Sequence, residues 1–324
     1  MKYLGIDLGG TNIVAGVVDE NYRVVAKAQR KTAAPRPMEA ICDDMAAAAR
    51  EALQKAGIAL EDVPWLGIGT PGTVNKATGI VEFVNNLFFH NWELSKMMQE
   101  RLPGVRVILE NDANAAAYGE FVAGATKEAD TAIAITLGTG VGSGIIIDGK
   151  IYSGSNYAGG EMGHTVIVLG GKACTCGRRG CWEAYASATG LINLTKEAMI
   201  ENQGNPDSIL WGIVDGDIDK VDGRTAFDAM RQGDPVGQKV VDDYIRYLAC
   251  GIINAINTFQ PDMICLGGGV SKEGETLLRP LRAYVERERY SKHSTKQTKL
   301  CIAELGNDAG VIGAALLGLE QEIK

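Results

Sequence analysis

The chain has 324 residues, 46% of them apolar and 22% charged, an ordinary composition for a soluble globular protein with room for two domains. Its net charge of −8 gives no electrostatic support to binding nucleic acid or an anionic membrane, and it has no apolar run of about 18 residues to cross a bilayer. Asp7 comes too early for the amino terminus to read as a signal peptide, so a cytoplasmic location is expected.

The elements begin with a strand, Tyr3 to Asp7, that runs into Gly9-Gly10-Thr11-Asn12. A second strand, Ile13 to Val18, follows, and Val24 to Lys27 supplies a third; this is a hairpin start and not the strand-then-helix start of a dinucleotide fold. Met38 to Ala56 has helical spacing and strong helix formers, closed by Gly57. Trp65 to Gly69 and Val105 to Leu109 read as buried strands. Asn111-Asp112 then opens an Ala-rich helix, Asn114 to Phe121, with Asp112 at a favourable N-cap position.

From Thr131 the pattern starts again, with a strand to Leu137, a glycine turn at Gly138 to Gly142 and a strand from Gly144 to Asp148. The stretches Asp7 to Asp19 and Thr136 to Asp148 have equal length and share strand, glycine turn, strand and final Asp, which makes a duplicated domain plausible. Lys239 to Phe259 reads as a long amphipathic helix and Met263 to Leu266 as a buried strand ending in Gly267-Gly268-Gly269. Leu277 to Arg289 and Ala309 to Glu320 are further helices. The mixture in both halves predicts α/β architecture.

Three glycine turns, at Gly9-Gly10-Thr11, Gly138-Thr139-Gly140 and Gly267-Gly268-Gly269, each follow a predicted strand. Such turns aim backbone N–H groups inward with no Cβ in the way, as a triphosphate needs, although each alone could be a tight hairpin. No G-x-x-x-x-G-K-[ST] occurs. The one G-x-G-x-x-G, at Gly67 to Gly72, contains Pro71 and opens no helix, so neither a P-loop nor a dinucleotide fold is expected. Asp7, beside the first turn, either caps it or orients Mg²⁺ through water. Asp112 is either a plain N-cap or the base that phosphoryl transfer to a hydroxyl requires. Asn86, Glu161, His164 and Glu183 are polar groups able to bind sugar hydroxyls or simply to lie on the surface.

Of the seven cysteines, Cys42, Cys250, Cys265 and Cys301 are isolated in apolar surroundings and read as small buried hydrophobes. His164, Cys174, Cys176 and Cys181 lie within eighteen residues and suit tetrahedral Zn²⁺, with free thiols or a redox pair as the alternative. With four protein ligands the zinc is structural; it staples a loop and fixes the neighbouring Glu161 and Glu183.

Five motifs together, Asp7-Leu-Gly-Gly-Thr-Asn, Glu110-Asn-Asp-Ala-Asn-Ala-Ala, Leu137-Gly-Thr-Gly-Val-Gly, Gly160-Glu-Met-Gly-His164 and Cys174-Thr-Cys-Gly-Arg-Arg-Gly-Cys-Trp-Glu183, resemble the ROK family, from Lys2 to about Gly318. That family contains bacterial glucokinases, other sugar kinases and sugar-responsive repressors. The resemblance implies an actin-like ATPase fold of duplicated ribonuclease H-like domains flanking a hinged cleft. It implies a smaller domain of residues 1–111 and 305–324, and a larger one of residues 112–304 that carries the zinc loop. Hinges are expected near Asn111 and Leu305, with the last helix packed on the first domain. By the same likeness Asp7, Gly9, Gly10, Thr11, Asn12, Thr139, Gly140, Gly268 and Gly269 surround ATP and Mg²⁺, and Asp112 is the base. Asn111, Glu161, His164 and Glu183 hold the sugar, with Gly72 and Asn86 as softer matches. His164 is shared, one ring nitrogen on zinc and the other toward a sugar hydroxyl.

The family's repressors carry an added amino-terminal helix-turn-helix, for which a phosphate motif starting at residue 7 leaves no room. The Glu161, His164 and Glu183 set resembles the glucokinases most, so the expected reaction is glucose to glucose 6-phosphate. Kinases for N-acetylmannosamine, fructose, mannose or allose and a non-catalytic sugar sensor are the alternatives. Asn156-Tyr157-Ala158 is a place where substrate choice could be altered. The family suggests a homodimer, and polyphosphate is the competing phosphate donor.

Overall fold

A computed structural model describes residues 1–84, 87 and 89–320. Asn86, expected to touch the sugar, lies outside the described residues. The chain forms two compact units, the first made of Met1–Ala134, Ser143–Gly160 and Ala303–Lys324, the second of Ile135–Gly142 and Glu161–Ile302.

In the first unit β1 (Tyr3–Leu8), β2 (Asn12–Val18) and β3 (Val24–Lys31) form an antiparallel meander, extended on the other side of β1 by parallel strands β4 (Leu66–Thr70) and β8 (Val107–Asn111). Alternation within β2 and β3 is partial, whereas β1 and β4 are almost wholly apolar because helices cover both of their faces. On one face lies α1 (Met38–Ala56), which buries Ile41, Met45, Ala49 and Ala52 and ends, as expected, at Gly57 with φ of 68°. The other face takes α10 (Ala309–Glu320), which packs on β1, β4 and α3 (Asp112–Ala123) and buries nine residues. A Cβ on Gly5, Gly67 or Gly313 would meet the backbone of these neighbours, so the small residues set the spacing. Trp65 Nε1 locks the arrangement by donating to the Ala315 carbonyl at 2.7 Å. A small antiparallel sheet of β5 (Thr73–Asn75), β6 (Ile80–Val84) and β7 (Phe89–Trp92) precedes α2 (Leu94–Arg101).

The second five-stranded sheet has β9 (Ala132–Leu137), β10 (Val141–Ile147), β11 (Lys150–Ile151), β12 (Met263–Gly268) and β13 (Lys299–Ile302). Its order, β11-β10-β9-β12-β13, repeats the first sheet's β3-β2-β1-β4-β8, hairpin strands on one side and a parallel addition on the other. The weak sequence echo therefore marks a repeated architecture.

The second unit adds α4 (Glu183–Ala186), α5 (Ala188–Glu201), α6 (Leu210–Ile213), α7 (Thr225–Arg231), α8 (Pro235–Phe259) and α9 (Glu275–Glu288). Asp234 caps α8 by accepting from the Val236 and Gly237 N–H groups, and Pro235 occupies the first helical position. Fully buried Trp182 lies against Gly251 of α8 and donates to the Tyr247 carbonyl at 2.9 Å.

The units divide at Ala134/Ile135, Gly142/Ser143, Gly160/Glu161 and Ile302/Ala303, not at the expected 111/112 step. The reason is packing: α3 follows Asn111 but buries its face on α10, so it stays with the first unit. The chain returns to the first unit at Ala303, and α10 packs on that unit's sheet.

Candidate active site

Asp7 ends the apolar strand β1, and the chain turns at once: the Gly9 N–H donates to the Asn12 carbonyl at 2.8 Å. Buried Thr32 braces the turn, its N–H donating to the Thr11 carbonyl at 2.9 Å and its hydroxyl to the Gly9 carbonyl at 2.7 Å. Asn12 is held by Lys31, whose Nζ reaches its Oδ1 at 2.9 Å. Beside the turn opens a cavity of about 790 Å³ lined by Asp7, Gly9, Gly10, Thr11 and Asn12, and farther out by Lys27, Lys55 and Asp308. This volume is within the usual range for a small-molecule site. Burial raises the Asp7 pKa to about 6, with the neighbouring charge of Asp112 as the second cause. A carboxylate held at such cost is what a cation would neutralise.

At the end of β8 the expected cap is corrected. Asn111, not Asp112, is the N-cap of α3: its Oδ1 accepts from Ala113 N–H at 2.9 Å and Asn114 N–H at 3.2 Å. Asp112 is the first helical residue, and its Oδ1 accepts from Ala113 N–H at 2.9 Å. Because the amide side chain can cap while its nitrogen still donates, Asn111 Nδ2 also reaches the Gly72 carbonyl at 3.2 Å. The first unit thus gathers Asp7, Gly9, Gly10, Thr11 and Asn12 around one cavity, places Asp112 near Asp7, and ties Asn111 to Gly72.

In the second unit His164, Cys174, Cys176 and Cys181 present ligand atoms all within 4.8 Å of one another. Cys176 and Cys181 sulfurs are 3.7 Å apart, and His164 Nδ1 is 3.6 Å from Cys174 Sγ. With Zn–S bonds of about 2.3 Å the edge of a tetrahedron is roughly 3.8 Å, so the residues fit a zinc ion. His164 turns Nδ1 to the sulfurs, which leaves Nε2 for another partner.

Glu183, the first residue of α4, follows the sulfurs. Its Oε2 accepts from the Val141 N–H at 3.0 Å, and its Oε1 lies 3.6 Å from Cys174 Sγ and 3.5 Å from Thr175 Oγ1. It therefore joins the cysteine loop to the turn of Thr139 and Gly140. That turn is tight, with Gly138 N–H donating to the Gly140 carbonyl at 3.1 Å. Gly268, with φ of 87°, ends β12 against the Leu137 backbone, so the third glycine turn meets the second; Gly269 follows it. Glu161, exposed, precedes the short helical turn of His164 and accepts the His164 N–H on its carbonyl at 3.1 Å.

Sequence reasoning missed Thr32, Lys27, Lys55 and Asp308. For Thr32 a signal existed: pairing β2 with β3 sets Asn12 opposite Lys31, which brings the next residue to the glycine turn. Lys27 pairs with Asp308 at 2.7 Å across 281 residues, a distance no local pattern spans.

Two sheets of repeated order, glycine turns at strand ends and a carboxylate at the turn of the first strand define an actin-like ATPase fold. The chain belongs to the ROK family, whose model matches residues 3–321. It is 36% identical over 319 residues to the glucokinase of Streptomyces coelicolor, covering 98% of each chain. A ROK family glucokinase from Streptomyces griseus, crystallised with glucose and AMPPNP, matches with a TM-score of 0.80 and 37% identity over 98% of this chain and 99% of its own. The ROK hexokinase of Thermus thermophilus matches with a TM-score of 0.82 and 32% identity over 100% of both chains.

Proposed function

We propose that this protein is an ATP-dependent hexose kinase whose acceptor is glucose, giving glucose 6-phosphate and ADP. The observation that carries the reading is the full-length likeness to glucokinases, together with an Asp112 that opens α3 directly after its Asn111 cap and lies near Asp7.

Transfer to an alcohol needs in-line positioning, neutralised charge and a proton acceptor. Asp112 takes the proton from the glucose 6-hydroxyl as its oxygen bonds to the γ-phosphorus and ADP leaves. Asp7 would hold Mg²⁺, which would supply neutralisation of the phosphate charge, and the N–H groups of Gly9, Gly10, Thr11 and Asn12 and of Thr139, Gly140, Gly268 and Gly269 would receive phosphate oxygens. Asn111, Glu161, His164 and Glu183, with Gly72 and Asn86, hold the sugar hydroxyls. His164, Cys174, Cys176 and Cys181 would hold a structural zinc, which would fix the tautomer of His164 and the loop on which Glu183 rests. We place the enzyme in the cytoplasm as a homodimer, which sedimentation can test.

A coupled ADP-release assay over a sugar panel, with ATP and polyphosphate compared as donors, tests the reading. Glucose with ATP is the expected pair. Asp112→Asn should lower kcat by about 10²–10⁴-fold while glucose and AMPPNP still bind by calorimetry. Wild-type turnover in that variant would remove Asp112 from the mechanism.

A further inference from the structure

Glu110 is an acidic residue that no role in the reaction explains. It precedes Asn111 at the end of β8 and its side chain is only 2% exposed. A buried carboxylate without compensation is costly, so its partners indicate its use. One oxygen, Oε1, accepts from the Asn111 N–H at 2.9 Å and from Asn114 Nδ2 at 3.0 Å. The other, Oε2, is ion-paired with Lys76 Nζ and lies 3.5 Å from Ser153 Oγ.

Asp112 thus lies in sequence between two residues, Asn111 and Asn114, that one carboxylate oxygen pins. Lys76 holds that carboxylate from the turn between β5 and β6. The same hairpin begins beside Gly72, whose carbonyl receives Asn111 Nδ2. Two contacts, Lys76 to Glu110 and Gly72 to Asn111, therefore fasten one hairpin to the strand end that carries the base.

We propose that Lys76 is a positioning residue for phosphoryl transfer: by orienting Glu110 it sets the Asn111–Asn114 turn and so the direction of the Asp112 carboxylate. The proposal rests on Asp112 being the base. Lys76 touches neither the phosphate turn nor its cavity, so its effect falls on the chemical step and leaves nucleotide binding intact. A second, polar cavity of about 280 Å³, lined by Lys76, Thr78, Ser95, Arg106, Glu110 and Glu320, adjoins the pair. Water can enter there when the lysine is shortened, which allows the variants to fold.

The test is steady-state kinetics with glucose and ATP on the full chain, with thermal melting as the check on folding. Lys76→Met should lower kcat roughly 10- to 100-fold with an unchanged KM for ATP, as small misplacements of a reacting group do. Lys76→Arg, which keeps the charge, should recover most of that loss. The double variant Lys76→Met with Glu110→Gln removes the buried Glu110 charge together with its partner and keeps an acceptor at Oε1, leaving Glu320 as the carboxylate that has lost Lys76; its kcat should stay low although its melting temperature returns toward wild type. A kcat within twofold of wild type in Lys76→Met overturns the proposal, and so does full recovery of kcat in the double variant, which would reduce Lys76 to a counter-charge. Failure of the reading beneath it looks different: the wild type would be inactive, or Asp112→Asn would remain active, whatever Lys76 does.

Discussion

The Glu183 carboxylate accepts the Val141 N–H at 3.0 Å, a bond that spans 42 residues and links the loop of three cysteines to a glycine turn. One side chain therefore connects the proposed sugar-binding, zinc and phosphate regions of the second unit.

That bond makes Gly140 sensitive. A Cβ there would run into the Glu183 carboxylate, which can swing aside because it ends a flexible side chain. Gly140→Ala is expected to melt within a few degrees of wild type yet to raise the KM for glucose about tenfold, the worth of one lost hydrogen bond to a charged group. Unchanged glucose kinetics would show that Glu183 has no part in holding the sugar.

Asp7 predicts a pH dependence. Its pKa of about 6 lies above the ordinary 3.8, so the folded protein keeps a proton that the unfolded chain has lost. Stability in the nucleotide-free protein should therefore fall as pH rises from about 4 to about 6 and level off above it, by up to about 3 kcal/mol from this group. Asp7→Asn should flatten that slope in urea titrations at several pH values and abolish turnover with Mg²⁺ and ATP. A slope identical in the variant would assign the effect to another group.

Metal analysis of the purified protein should find one zinc per chain. Cys181→Ser should lose it and melt roughly 5–10 °C lower, because binding energy at a structural site is folding energy. The KM for glucose should rise more than that for ATP, since His164 and Glu183 belong to the same loop system. A metal-free wild type with normal stability would return the cluster to plain thiols.

Gly313 tests the packing behind Asp112. Its Cα faces the Ala115 carbonyl of α3 with no space for a methyl group, and backbone cannot yield as a side chain can. Gly313→Ala should cost about 1–3 kcal/mol in urea unfolding and lower kcat by displacing α3. Wild-type stability would mean that α3 and α10 have more freedom than this contact allows.

Much of the molecule was legible in the chain because short-range chemistry governs it. The bounds of Met38–Ala56 and Ala309–Glu320 follow from helical spacing and the Gly57 stop, and the hairpin of β1 and β2 from a glycine turn between apolar runs. His164, Cys174, Cys176 and Cys181 sit close in sequence, so their meeting in space costs little chain ordering. The cap expected at Asp112 lies one step earlier, at Asn111. Asn and Asp cap almost equally well, and only the Gly72 carbonyl, 39 residues away, favours the amide at position 111.

Sequence alone determined the element types, the glycine turns and the clustering of His164 with three cysteines, all products of periodicity and local spacing. Tertiary structure alone decided the division into units, the Thr32 brace, the Glu183 link and the pairing of Lys76 with Glu110. Each of these depends on strand register and helix packing between residues far apart in the chain. Local propensity carries no information about which distant side chain arrives beside a buried charge.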